Sequence, residues 1–173
     1  MIADVTGHGP SAAVEAAMFD AILRTYRPEH NITPPAQVIE YVNTHFFTRK
    51  NRGKFITAIA MSYDPETKNL RYTCAGHPYG YIKRGDTLIR LDQGQDIPIG
   101  VLKEYQWSSH EIQIMDHDII FLYTDVVLET RNANQEEFGF DRLENVLIDA
   151  EPCPHCLVDD VAEALTNFNE SDE

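Results

Sequence analysis

Phe55-Ile56-Thr57-Ala58-Ile59-Ala60-Met61-Ser62-Tyr63 is the stretch that decides the fold class of this chain. The hydrophobic period changes here, and the largely apolar stretch reads as a buried strand. Asp64-Pro65-Glu66-Thr67-Lys68-Asn69 has turn composition, and Leu70-Arg71-Tyr72-Thr73-Cys74 returns with alternating polarity, so the pair is a hairpin. Ala75-Gly76-His77-Pro78 then breaks the chain, and two short strands, Tyr81 to Lys83 and Thr87 to Leu91, flank Arg84-Gly85-Asp86. Beyond the loop Ile97-Pro98-Ile99-Gly100, two more strands are expected near Gln106 to Ile114 and Asp118 to Tyr123, joined by Met115-Asp116-His117. Upstream, Ser11 to Arg27 has helical spacing, with Pro10 at its entry and Pro28 at its end. Thr33-Pro34-Pro35 opens a second helix with Val38, Ile39, Val42 and Phe46 on one face. The last third is helical again, at about Asp141 to Ile148 and Leu157 to Phe168. Helices, then antiparallel strands, then helices define an α+β layered domain rather than a doubly wound one.

The 173 residues suit one domain with a sizeable core, and no repeat, low-complexity tract or linker divides them. Lys plus Arg number 14 against 28 Asp plus Glu, a net charge of −14. That balance argues against nucleic acid or an anionic membrane as partner, because both need a basic footprint. It suits cation binding, although much of it is a solvated surface with an acidic tail at Glu170, Asp172 and Glu173. No apolar run approaches the roughly 18 residues of a membrane span. Met1 leads straight into an acidic turn without a basic n-region, so a cytoplasmic location is the default expectation.

Two acidic motifs lie far apart, each where a strand meets a turn. Asp4-Val5-Thr6-Gly7-His8-Gly9 follows the short apolar start Ile2-Ala3, and Tyr123-Thr124-Asp125 ends the run Asp118-Ile119-Ile120-Phe121-Leu122. A carboxylate at a strand mouth, beside a turn that exposes backbone oxygens, is what a hard divalent cation takes as ligand. Magnesium and manganese prefer oxygen donors and keep several waters, so few protein carboxylates suffice. The competing account is that each Asp only caps its turn.

The three cysteines divide. Cys74 lies in an alternating strand and reads as a small core residue. Cys153-Pro154-His155-Cys156 has the spacing of a dithiol redox centre or of half a zinc site, but no second C-x-x-C or H-x-x-H pair completes four ligands. A proline-punctuated helix start is the favoured account. The basic cluster Arg49, Lys50, Arg52 and Lys54 stands out in an acidic chain, either near an anionic phosphate or, as the macrodipole favours, at a solvated helix C-terminus.

In order, these landmarks resemble the bacterial PP2C-like serine/threonine phosphatases of the SpoIIE/RsbU type. Asp4-Val5-Thr6-Gly7-His8-Gly9 is similar to that family's D-V-S-G-H-G segment. Phe55-Ile56-Thr57, Leu70-Arg71-Tyr72 and Ala75-Gly76-His77-Pro78 resemble its F-x-T, L-x-Y and A-G-H-x-P landmarks, and Ile97-Pro98-Ile99-Gly100 its P-L-G loop. Tyr123-Thr124-Asp125-Val126-Val127-Leu128-Glu129, with Glu137-Phe138-Gly139 and Arg142-Leu143, resembles its Y-T-D-G-x-x-E and F-G-x-x-R-L block.

The resemblance implies an α/β/β/α sandwich of two mainly antiparallel sheets flanked by helices, with a two-ion magnesium or manganese centre. In such enzymes the metals activate a water for attack on phosphorus, and no covalent phospho-enzyme forms. Carried over, Asp4 and Asp125 are carboxylate ligands and Gly7 offers its backbone carbonyl. His8 and His77 titrate near neutral pH and are candidate general acids. For His8 a ring fixing the turn between two glycines is preferred, and for His77 a loop histidine bonding backbone at a corner. The family also carries an Asp in an earlier G-G-D segment and a D-D pair opening a last strand. Neither is found in residues 1–173, so a single domain truncated at both ends and lacking terminal strands is expected. Val126 stands where the family has glycine; were that position at positive φ, a β-branched residue would be strained and would re-aim Asp125.

The expected function is therefore metal-dependent hydrolysis of phosphoserine or phosphothreonine on a regulatory protein of the anti-sigma antagonist type, in sigma-factor signalling. The alternative is a non-catalytic module that keeps the fold and binds a phosphoprotein or sibling domain. A thiol oxidoreductase centred on Cys153 and Cys156 is third. A homodimer is retained as one assembly, since nothing in the sequence sets the oligomeric state.

Overall fold

The computed structural model describes residues 1–27, 33–46 and 53–170. Their elements run β1 (Ile2–Val5), α1 (Pro10–Thr25), α2 (Pro35–Phe46), β2 (Ile56–Asp64), β3 (Asn69–Ala75), β4 (Tyr81–Arg84), β5 (Thr87–Arg90), β6 (Gln95–Asp96), β7 (His110–Gln113), β8 (Ile119–Phe121), α3 (Val126–Glu129), α4 (Gly139–Asp149) and α5 (Pro154–Glu170). The chain divides into two compact units: Met1–Tyr79 with Asp92–Ile114, and Gly80–Leu91 with Met115–Glu173.

The first unit is built on the expected hairpin. β2 and β3 pair antiparallel from Ile59 opposite Cys74 to Asp64 opposite Asn69. β1 adds antiparallel to the other edge of β2, β7 adds antiparallel to β3, and β6 makes a short parallel pair with the end of β3. Successive strand side chains alternate between faces. Ile56, Ala58 and Ala60 of β2 therefore share one face, where they pack with Phe19 of α1 and Ile39, Val42 and Phe46 of α2. Ala3 and Val5 of β1 pack against the same cluster. Asp4, Thr57 and Ile59 point from the opposite face.

Two loops are pinned to this core by particular side chains. Asn43 on α2 is buried; its Nδ2 donates to the carbonyls of Leu102 and Lys103, and its Oδ1 accepts from the Gly100 amide. Ile56 and Ile99 exchange both backbone hydrogen bonds at 2.9 Å. The expected strand from Gln106 is shorter, because residues 106–109 leave the ladder to bury Trp107, whose Nε1 donates to the Ile97 carbonyl at 2.8 Å.

In the second unit β4 lies between β5 and β8, both antiparallel to it. Ile82, Leu143, Leu147 and Leu157 are buried, while Ile120, the partner of Ile82 on β8, is exposed. Lys83 is buried, and its ammonium donates to the Leu147 and Ile148 carbonyls at 2.7 and 2.9 Å. A cation at the C-terminal end of α4 meets both the unpaired carbonyls and the negative end of the helix dipole. Arg84 grips Asp118 with two hydrogen bonds of 2.9 and 2.7 Å, which holds the Asp118 carboxyl below the usual carboxylate range. The sequence reading did not foresee β6 or α3. Both are too short, at two and four residues, to show an apolar period.

Candidate metal-binding site

Asp4 occupies the third position of β1, directly opposite Thr57 of β2. The turn that follows is held by Thr6, whose amide and hydroxyl both donate to the Phe55 carbonyl, at 3.2 and 3.0 Å. Gly7 and Gly9 sit at φ 94 and 81, conformations that L side chains rarely adopt, and Pro10 then starts α1 with its φ already helical. The glycine spacing thus turns the chain sharply and leaves the Gly7 carbonyl on an exposed bend. His8 is exposed, and its ring makes no hydrogen bond among the described residues. Thr6 and the two glycines, rather than the imidazole, fix this turn, which corrects the role expected for His8.

The pair opposite Asp4 extends inward. Thr57 Oγ1 and His77 Nδ1 share a hydrogen bond of 3.0 Å, and His77 is buried. The Cys74 thiol donates to the His77 carbonyl at 3.0 Å; burial pushes that thiol up to about 11, as expected of a core cysteine. Gly76, at φ 68, brings the chain against Pro98 so closely that a Cβ would lie 2.5 Å from its Cγ. The F-I-T, A-G-H-P and I-P-I-G segments therefore meet in one cluster beside Asp4. Their separate appearance in the sequence carried no sign of that contact, although a threonine and a histidine in neighbouring strand-end motifs were available to suggest it.

Lys54, the described member of the basic cluster, donates to Ser11 Oγ at 2.8 Å and pairs with Glu15 Oε1 at 2.9 Å. It ties the start of α1 to the residues preceding β2, which replaces the solvated role expected for it. Arg49, Lys50 and Arg52 lie outside the described residues.

Asp125 belongs to the second unit, at the N-cap of α3. Its backbone carbonyl accepts from the amides of Leu128 and Glu129 at 2.9 and 2.8 Å, but its carboxylate makes no capping bond. The turn-capping account is thus not what this side chain does. Val126 is the first residue of α3 and is not at positive φ, so the strain considered for valine here is absent. The residues after α3 are braced by Asn132, whose Oδ1 accepts from the Glu136 amide, and by Arg142, which donates to the Glu137 and Phe138 carbonyls and lies over Phe168.

Among the described residues the carboxylates of Asp4 and Asp125 have no hydrogen bond or ion pair. Uncommitted carboxylate and carbonyl oxygens are the donors a hard divalent cation takes; the first unit offers the Asp4 carboxylate and the Gly7 carbonyl, and the second unit, taken by itself, offers the Asp125 carboxylate. No group of three or more His, Cys, Asp or Glu side chains is gathered to hold an ion among the described residues.

The fold is that of PP2C-like domains. It is similar to the SiaA-PP2C domain of Pseudomonas aeruginosa, with a TM-score of 0.83 at 17% identity, covering 98% of this chain and 67% of that one. It is also similar to RsbX in complex with magnesium, with a TM-score of 0.62 at 16% identity over 98% of this chain and 72% of that one. The family model for Stage II sporulation protein E (SpoIIE) matches residues 1–173, and the chain belongs to this family. Among curated relatives it is 28% identical to phosphoserine phosphatase RsbU of Bacillus subtilis (strain 168) over 135 residues, covering 77% of this chain and 39% of the relative. Stage II sporulation protein E of Priestia megaterium is 26% identical over 132 residues, covering 74% of this chain and 21% of the relative. The chain thus spans well under half the length of either relative. Family and fold together make it a PP2C-like domain of the SpoIIE family.

Proposed function

We propose that this chain is a metal-dependent protein serine/threonine phosphatase domain acting on a phosphorylated regulatory protein of the anti-sigma antagonist type, in the cytoplasm. The observation that carries the reading is the pair of uncommitted carboxylates, Asp4 on β1 and Asp125 at the N-cap of α3, in the two segments that resemble the family's acidic motifs. Asp4, Gly7 and Asp125 would hold magnesium or manganese, the residues 1–173 forming a single PP2C-like domain that lacks terminal strands of the family. The bound ions supply a water of lowered pKa and offset negative charge on the phosphoryl oxygens.

The chain's own residues do the positioning. Thr6 locks the turn so that Gly7 presents its carbonyl, and the Asp4 side chain stands on a ladder rather than on a loop. Thr57, hydrogen-bonded to His77, stands directly opposite Asp4 in the ladder. Such a shell keeps a charged ligand preorganised, which is worth more than the same carboxylate on a mobile segment. His8, exposed next to Gly7, is available to move a proton but has no partner that orients it among the described residues.

A manganese titration by calorimetry, with turnover of a phosphoserine peptide, tests the reading. Micromolar binding that is lost in Asp4→Asn and Asp125→Asn, with hydrolysis falling by orders of magnitude, supports it. The second reading, a binding module without hydrolysis, is favoured by the lack of a third gathered ligand among the described residues. It would show phosphopeptide binding with no manganese-dependent turnover.

A further inference from the structure

We infer that Cys153 and Cys156 form a reversible thiol–disulfide site at the start of α5, exchanging electrons with disulfides of the glutathione class. The two sulfurs are joined across the first helical turn, with Cα atoms 5.2 Å apart, within the roughly 4.4–6.8 Å that a disulfide spans. Both residues are half-buried and His155 between them is exposed, so a small disulfide can reach the pair. Pro154 opens α5 without an amide hydrogen, and the Cys156 amide donates to Cys153 Sγ at 3.3 Å. The first turn carries no acidic residue. A helix N-terminus with an amide aimed at sulfur favours thiolate over thiol, which makes Cys153 the attacking residue. Leu157 and Val161 anchor the helix behind it, so the pair sits on a rigid base.

Starting from the dithiol, the Cys153 thiolate attacks one sulfur of the co-reactant; that S–S bond breaks and one small thiolate leaves, taking a proton from solvent. Cys156 then loses its proton, attacks Cys153 Sγ and expels the second small thiol. Two protein thiols are oxidised and one small disulfide is reduced to two thiols. The phosphatase reading uses neither sulfur, and no phosphate ester or metal enters the assay.

The test equilibrates the full chain in mixtures of reduced and oxidised glutathione, quenches with an alkylating agent and weighs the intact protein. The expected result is a single two-electron step in which two alkylation sites vanish together. Cys156→Ser should trap a glutathione adduct on Cys153, and Cys153→Ser should react about tenfold more slowly. A pair that stays dithiol in every mixture overturns the inference. So do a stable glutathione adduct on the unmodified sequence and equal reactivity of the two single variants.

Discussion

Gly76→Ala is the most discriminating perturbation of the cluster beside Asp4. Gly76 sits at φ 68, and a Cβ there would lie 2.5 Å from Pro98 Cγ and 2.9 Å from Pro98 Cδ. Holding an L-residue in the left-handed region costs about 1–2 kcal/mol. The clash adds a further cost of about 1–3 kcal/mol, because a proline ring cannot rotate away as a flexible side chain would. The sum, about 2–5 kcal/mol, is a large part of the roughly 5–15 kcal/mol that stabilises an ordinary domain. With a urea slope of about 1–3 kcal/mol per molar, the unfolding midpoint should fall on the order of 1–2 M. Gly85→Ala supplies the control: Gly85 has φ 55 but nothing within 4 Å of the added methyl, so only the backbone cost of about 1–2 kcal/mol applies. Because Gly76 precedes His77, the same change should weaken manganese binding while Gly85→Ala does not. Equal midpoints for the two variants would refute the close approach to Pro98, and with it the account of why these segments meet.

Val126→Gly should not raise activity or metal affinity, since Val126 already has helical φ; a gain in either would revive the strain account. Lys83→Met removes the amine that satisfies the Leu147 and Ile148 carbonyls and should cost about 1–3 kcal/mol, read as a lower Tm. Asp118 has a carboxyl pKa depressed by the Arg84 hydrogen bonds. Its contribution is complete above the unfolded value of about 4 and is lost as pH falls through the lower folded value. Asp118→Asn should accordingly flatten the stability–pH curve on its acid side, and an unchanged acid limb would count against the ion pair.

The strands and helices that carry the fold were legible because each has its own period. Ile56–Asp64 is a nearly continuous apolar run, Leu70-Arg71-Tyr72-Thr73-Cys74 alternates in polarity, and Pro35–Phe46 carries an apolar stripe that is buried as expected. The carboxylate of β1, the glycines between Asp4 and α1, and the core position of Cys74 were also readable, since charge and backbone freedom are properties of single residues; the strand expected to run to Tyr123 instead ends at Phe121, and Asp125 sits at the N-cap of α3. Contacts across the chain were not. Nothing local joins Thr57 to His77, Gly76 to Pro98 or Lys83 to the end of α4, because each is set by register and by which face of a strand a residue occupies. The sequence left Cys153-Pro154-His155-Cys156 between a dithiol centre, half a zinc site and a helix start, with the helix start favoured. Pro154 does open α5, and it took the folded first turn to show that helical geometry brings the two sulfurs together. Likewise only the backbone could show that Val126 is helical, since a residue's φ is chosen by the element that receives it and not by its neighbours' names.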